Sequence, residues 1–441
     1  MPLSRRRFLA LSGSSLFAIT ATGCTPLATE VDFQSPVSEF TGPMSGVLQN
    51  KAESALYKQR FLGYPVNMNT PPDDFFSWRD QLAKAGIDQF AYNNVGNPFK
   101  PSPIPFNTHE LEREVILRFA DLYGFDADNH WGFLSHSGTD SNMHGMYMGR
   151  TLLKGRTGKA PRIYFTEQAH YSIQILRDLL GMEGVVIRAL EDGSMDIDDL
   201  ARQLAQYPND PALVVATLGT TFKGAIDPLD RIQQLLQGKN SYVHLDAALF
   251  GGYFPYIRES REVLHQTEMN SASSRYDSIA VSCHKFFGFP SPAGLFVTRE
   301  TTYQEFNTLF SSIHNPEYIH HVPGTITCSR DAVKPAEFYY FSLPESIERQ
   351  AEDARHILKM TNLLMEQMMT RLLKWQPARF SSASNTIYFL CPPEEIIQKY
   401  SLATMELPTA QGIKSFAHVV IMPHVTEQVI DEFLFDLESA G

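Results

Sequence analysis

The sequence predicts an α/β protein: a mostly parallel sheet covered by crossover helices, followed by a small C-terminal α+β domain. Two observations carry this. Six short, apolar, β-rich runs alternate with helical stretches through the middle of the chain. Most of these runs lack strict apolar–polar alternation, as strands buried on both faces do. Composition supports a large core: 441 residues, 43% hydrophobic and 12% aromatic, are enough to fold without disulfides and too apolar for a disordered chain. A net charge of −12 with no basic stripe argues against a nucleic-acid partner. The four cysteines make no disulfide framework.

The elements follow in order. Residues 1–23 read as a secretory signal. Basic Arg5, Arg6 and Arg7 precede an apolar stretch from Phe8 to Thr22. That stretch is too short, and too rich in Ser, Thr and Gly, for a spanning helix, which needs about 20 apolar residues. Ser4-Arg5-Arg6-Arg7-Phe8-Leu9 is similar to a twin-arginine signal, the type that exports folded proteins. Ala21-Thr22-Gly23-Cys24 is similar to a lipobox, with Cys24 as the lipidation site, although leucine is commoner where Ala21 stands. The expected location is therefore outside the cytoplasm, reached through the twin-arginine export machinery. The protein would be periplasmic, or a lipoprotein attached to the membrane through Cys24. An uncleaved amphipathic N-terminus is the alternative.

Residues 24–55 are mixed and polar and read as a tether, and residues 56–110 as an N-terminal arm. Tyr92–Phe106 is dense in Asn and Pro and reads as loop. The large domain then spans 111–334. Thr108 is placed to cap a helix with Leu111, Val115, Phe119 and Leu122 on its apolar face, ending at Gly124. A second helix begins at Gly138–Thr139 and runs through Met143, Tyr147 and Leu152.

The strand candidates are Pro161–Phe165, Gly184–Leu190, Ala212–Leu218, Ser241–Ala247, Asp277–Ser282 and Ala293–Thr298. Helical spacers lie near 172–181, 197–206 and 227–236. The short gap between the last two strands predicts an antiparallel pair at one side. Residues 335–441 form the small domain: a long helix over 345–375, strands at 385–390 and 418–422, and a last helix.

Four features stand at strand ends, where open α/β sheets place ligands. Ser137-Gly138-Thr139 opens a helix and offers free backbone N–H groups and hydroxyls, which suit a phosphate or serve as an ordinary N-cap. His170 follows the first candidate strand, as a structural hydrogen-bonder or a site residue. Asp246 ends the Ser241–Ala247 run, and a buried carboxylate there needs a cationic partner. Lys285 sits in SCHKFFG, where apolar neighbours would lower its pKa and make it a nucleophile, unless it snorkels to the surface. An acid, a lysine, a histidine and a phosphate-type helix start are together the partners that pyridoxal phosphate requires. His314, His320 and His321 follow no helix face and lack partner ligands, so no metal site is expected.

From about Leu62-Gly63-Tyr64-Pro65 to Ala417–Thr426 the sequence resembles the group II pyridoxal-phosphate decarboxylases of fold type I. Within them it is similar to the bacterial histidine decarboxylase and plant serine decarboxylase branch. Ser282-Cys283-His284-Lys285 together with His244-Leu245-Asp246-Ala247-Ala248 carries the likeness, with YNNVGNPF, WGFLSHSGTDSNMHG, AHYS, GTTFKGAIDPLD and TITCSR.

The resemblance implies a fold type I, PLP-dependent transferase-like architecture and a homodimer with the active site at its interface. It implies that Lys285 holds the cofactor as a Schiff base. Asp246 would pair with the pyridine nitrogen, with His170 stacked on one ring face and Ala248 against the other. Ser137, Gly138, Thr139, Ser282 and His284 would hold the phosphate, with Thr220 and Thr221 near the cofactor edge. Tyr318 aligns with the mobile-loop tyrosine that reprotonates the α-carbon, commonly from across the dimer. Ser329 would add a phosphate contact, and Tyr64, Asn93 and Arg330 would face the substrate.

The implied reaction is decarboxylation of an L-amino acid, with histidine as the best match. Serine or aromatic amino-acid decarboxylation and decarboxylation-dependent aldehyde synthesis are alternatives, as is a lipoprotein that binds ligand without turnover. Two blocks depart from the family pattern. Cys328-Ser329-Arg330-Asp331-Ala332 stands where Gly-Ser-Arg-Asn-Gly is usual, and Gly138-Thr139-Asp140-Ser141-Asn142 where Gly-Thr-Glu-Gly-Asn is usual.

Overall fold

The computed structural model describes residues 57–265, 275–409 and 411–440. The signal, Cys24 and the tether lie outside the described residues.

Seven strands build the main sheet: β1 Trp131–Ser135, β2 Arg162–Thr166, β3 Glu183–Ile187, β4 Ala212–Thr217, β5 Ser241–Asp246, β6 Ser278–Ser282 and β7 Gly294–Thr298. Their order is β1-β7-β6-β5-β4-β2-β3. Strands β2 to β6 run parallel to one another, and β7 pairs antiparallel with both β6 and β1. The expected antiparallel pair is therefore present, and the turn that joins it carries Lys285.

Strand β1 does not figure among the sequence's strand candidates. Its Gly132 breaks the β-rich pattern. In the sheet that glycine is needed, because a Cβ there would lie 2.2 Å from the Phe296 carbonyl oxygen on β7.

The longer helices are α1 Asp73–Lys84, α2 His109–Leu122, α3 Gly138–Thr157, α4 Tyr171–Leu179, α5 Ile197–Gln206, α6 Leu229–Leu236, α7 Glu300–Ser311, α8 Pro344–Arg371 and α9 Glu427–Ser439. Thr108 precedes α2 as expected, yet its hydroxyl donates to the Ala332 carbonyl at 2.6 Å rather than capping the helix. The buried face of α2 is also rotated, to Glu112, Val115, Ile116 and Phe119.

Both sheet faces are covered, which explains the missing alternation. Val214, Ala216, Val243, Leu245, Ile279 and Val281 pack into one core with α2, α5, α6 and α8. Their neighbours Leu213, Val215, Tyr242 and Phe296 pack into a second core with α3, α4 and α7. The period of two thus turns His244 and Asp246 of β5 towards α3.

After residue 335 come α8, a three-stranded antiparallel sheet and α9. That sheet comprises β8 Thr386–Leu390, β9 Ala403–Thr409 and β10 Gly412–Val420 in the order β8-β10-β9. Strand β9 also escapes the sequence reading. It is a mostly exposed edge strand containing Pro408, so it carries little apolar signal. Leu62 of the arm joins this region, its N–H bonding the Tyr400 carbonyl and its own carbonyl accepting from Val420.

Candidate active site

A cavity of about 260 Å³ opens where β4, β5 and β6 end and α3 and α4 begin. Its wall includes Ser137, Gly138, Thr139, His170, Thr221, Asp246, Ala248, Ser282, His284 and Lys285. These residues are spread over 149 sequence positions, and the sheet's strand ends gather them.

The cradle at the start of α3 is closely built. Ser137 caps the helix by accepting from the Asp140 N–H at 3.2 Å, and the Asp140 carboxylate accepts from the His136 N–H at 3.0 Å. The aspartate thus reaches back past the N-cap to the residue before it, fixing the entry of the chain into α3. Ser141, the second departure in that block, bonds the Ser135 hydroxyl at 2.7 Å. A Cβ on Gly138 would stand 2.4 Å from Ser282 Oγ and 3.3 Å from the Ala248 methyl, so the cradle's floor admits glycine alone. Free N–H groups at a helix start beside two hydroxyls and an imidazole form a donor set for a phosphate.

Across the cavity, Asp246 ends β5 and accepts the Ala248 N–H on one carboxylate oxygen at 3.1 Å. Lys285 lies three residues beyond β6. The arm fixes its loop: the Asn67 N–H donates to the Lys285 carbonyl at 3.0 Å, and the Asn67 amide donates to the Phe286 carbonyl at 3.0 Å. Burial lowers the Lys285 ammonium pKa from its ordinary value, while the Asp246 carboxylate pulls the other way. A fraction of neutral amine is thereby available for attack on a carbonyl.

His170 caps α4, its Nδ1 accepting from the Ser172 N–H at 3.3 Å and meeting the Ser172 hydroxyl at 2.7 Å. Burial lowers its pKa, Asp246 opposes this, and the Lys285 charge adds to the lowering. His284 is likewise held below its ordinary value, by burial and then by Lys285. A neutral imidazole, an acid for a ring nitrogen, an amine for an aldehyde and a phosphate cradle converge on one cavity. The residues present fit pyridoxal phosphate.

The remaining expected residues lie elsewhere. Thr220 is buried, and its hydroxyl accepts from the Ala225 N–H at 2.9 Å, holding the turn that presents Thr221. Tyr318 is 75% exposed, on a turn beside a separate apolar cavity lined by Tyr147, Phe310, Ile326 and Cys328. Ser329 accepts from the Asn93 amide at 3.1 Å, outside the wall of the main cavity. Tyr64 stacks on Phe61, and its neighbour Pro65 lines the cavity instead. Arg330, expected against substrate, points into the interior and pairs with Glu112, because a guanidinium so deeply buried needs a carboxylate.

Sequence reasoning missed Asn142, Ser172, Thr217 and Gly219, which also line the cavity. The signal for Asn142 was its place four residues after Gly138, on the same face of α3.

The pyridoxal-dependent decarboxylase conserved domain matches residues 106–341. A histidine decarboxylase of Solanum lycopersicum is 30% identical over 386 residues, covering 86% of this chain and 84% of the relative. Serine decarboxylase 1 of Oryza sativa subsp. japonica is 29% identical, covering 85% of this chain and 71% of its own length. A histidine decarboxylase of Acinetobacter baumannii (strain ACICU) is 28% identical, covering 86% and 92%. Among solved structures, L-methionine decarboxylase from Streptomyces sp. 590 superposes with a TM-score of 0.74 at 21% identity, covering 95% of this chain and 98% of that one. That likeness is one of fold.

Proposed function

The chain belongs to the pyridoxal-dependent decarboxylase family, and from that premise we propose that it removes the α-carboxylate of L-histidine, releasing CO₂ and the amine. It is a PLP-dependent amino-acid decarboxylase. Histidine is favoured because relatives in two distant organisms, a plant and a bacterium, carry that activity in their names. Serine is the second reading, supported by the rice relative. The observation that carries the assignment of the site is the convergence of Lys285, Asp246 and the Gly138 cradle on one cavity.

When bound, pyridoxal phosphate supplies an aldehyde that condenses with amines and a ring that accepts the electron pair left by departing CO₂. The chain's own residues then divide the work. The N–H groups and hydroxyls of Ser137–Thr139, with Ser282 and His284, hold the phosphate. Asp246 keeps a proton on the ring nitrogen. His170 and Ala248 would hold the ring between them. Lys285 would hold the cofactor covalently through its amine. Tyr318, supplied across a dimer interface, returns the proton to the α-carbon, and Ser329 adds a phosphate contact from the same side.

The enzyme is also assigned here to the twin-arginine export route, with Cys24 as a lipid anchor. The support is Ser4–Leu9, the short apolar stretch after it and Ala21–Cys24. A cofactor loaded in the cytoplasm calls for export in the folded state. Cell fractionation of the wild type and Cys24→Ser tests this: membrane-bound and released forms are expected, and cytoplasmic retention of both would contradict it.

Screening the standard amino acids for CO₂ release by the holoenzyme tests the substrate. Release from L-histidine is expected. Release from L-serine or an aromatic amino acid alone would move the substrate, and release from none would overturn the reading.

A further inference from the structure

His244 lies in none of the roles above, yet it touches both the helix that carries the cradle and the strand that leads to Lys285. It is fully buried on β5, two residues before Asp246 and on the same sheet face. Its Nε2–H donates to Asn142 Oδ1 at 2.9 Å, and its Nδ1 accepts from the Ser278 hydroxyl at 2.8 Å. Asn142 lies one turn after Gly138 on α3 and itself lines the cavity. Ser278 lies four residues before Ser282 on β6, on the same face. One imidazole therefore joins the helix that bears the phosphate cradle, the strand that bears the acid and the strand that leads to Lys285.

The packing is built around this ring. A Cβ on Gly145, one turn further along α3, would stand 2.3 Å from the His244 ring, so α3 comes down onto β5 at this point. Burial pushes the imidazole down to about 3, so it stays neutral with both nitrogens engaged. A hydrophobic residue of the same size would fill the space without fixing α3 along β5. The two hydrogen bonds add what packing lacks, a defined register between two elements.

We propose that His244, acting through Asn142, is a positioning residue that sets the distance between the phosphate cradle on α3 and Asp246 on β5. Both ends of one cofactor are thereby gripped at the same time. The inference rests on the pyridoxal phosphate site proposed above. It concerns binding of the joined ligand, because a ligand that uses only one end of the cavity does not sense the spacing.

Absorbance titration of the apoenzyme with pyridoxal phosphate, and separately with pyridoxal, tests it. Asn142→Ala and His244→Phe are each expected to weaken pyridoxal phosphate binding by about three- to tenfold, the range for one internal hydrogen bond. Pyridoxal, which lacks the phosphate, should bind as to the wild type. The double variant should be no weaker than the poorer single one, since both act through one bond. His244→Gln, which can still donate to Asn142, should recover most of the loss. Equal weakening of both ligands would mean a general structural role and overturn the proposal, as would unchanged binding of both. Should His244→Phe fail to fold, Asn142→Ala decides alone by the same two ligands. A wild-type protein that binds neither ligand would overturn the proposed function itself.

Discussion

Arg330 and Glu112 form an ion pair in the protein interior, with side chains 1% and 0% exposed. The guanidinium meets both carboxylate oxygens, one at 3.1 Å through Nη2 and the other through Nη1. The same carboxylate accepts from the Leu134 N–H at 2.9 Å and the Asn94 amide at 3.0 Å. The pair thus ties α2 and β1 to two loops, residues 93–97 and 328–332. It holds the segment Cys328–Ala332 against the core. Within that segment Asp331 caps the following turn, accepting from the Val333 and Lys334 N–H groups at 2.9 and 3.0 Å.

Breaking this pair on one side leaves an uncompensated buried charge. Glu112→Gln or Arg330→Met should each lower the unfolding free energy by about 3–5 kcal/mol. The double substitution Glu112→Leu with Arg330→Met should recover a large part of that loss. Denaturant unfolding of the apoenzyme measures all three; a double variant as unstable as the sum of the singles would contradict the assignment.

Gly138→Ala should impair cofactor binding through the cradle, since its Cβ would meet Ser282 Oγ at 2.4 Å. Overpacking of this kind costs about 1–3 kcal/mol, or roughly five- to 150-fold in affinity. Ser282→Gly added to Gly138→Ala removes the clash, and equilibrium dialysis should show part of the affinity restored. Full affinity in the single variant would show that the helix start gives way freely.

Lys285 links the site to pH. Its folded pKa is lowered, by burial first, so the unfolded chain holds the proton more tightly. Native stability therefore rises with pH between the depressed value and the ordinary ~10.4 of lysine. Lys285→Met removes the buried charge, so the apoenzyme should melt about 2–4 °C higher near neutral pH, the shift that ~1 kcal/mol gives in a large domain. The gain should shrink as pH approaches about 10. A variant that melts lower at every pH would show that the ammonium is well compensated.

Tyr318→Phe should leave unfolding unchanged, because the ring is 75% exposed. In aerated buffer, amine formation should fall by about 100-fold or more, the usual worth of a general acid, with aldehyde and ammonia rising in its place as dissolved O₂ is reduced to H₂O₂. Chromatography of the products separates the two; an undiminished amine yield would remove Tyr318 from the reaction.

Much of the site was legible because each of its residues sits in a local signal, although the fold gathers them from distant positions. Gly138, His170, Asp246 and Lys285 each follow or open a regular element, so strand ends could be read and the site inferred from them. What escaped depends on contacts far apart in the chain. Strand β1 was hidden because Gly132 answers to a carbonyl on β7, 164 residues away, and not to its neighbours. The burial of Arg330 is set by Glu112, 218 residues earlier. His321, one of three clustered histidines, accepts from the Asn97 N–H at 3.1 Å, a loop contact that no local pattern announces.

The central claim is that Lys285, with Asp246 and the Gly138 cradle, carries pyridoxal phosphate. Borohydride reduction of the holoenzyme, followed by proteolysis and mass spectrometry of the peptides, tests it most directly. A pyridoxyl group is expected on the peptide containing Lys285, and loss of that adduct in Lys285→Met. Reduction that marks a different lysine, or an unmodified Lys285 in protein saturated with cofactor, would contradict it.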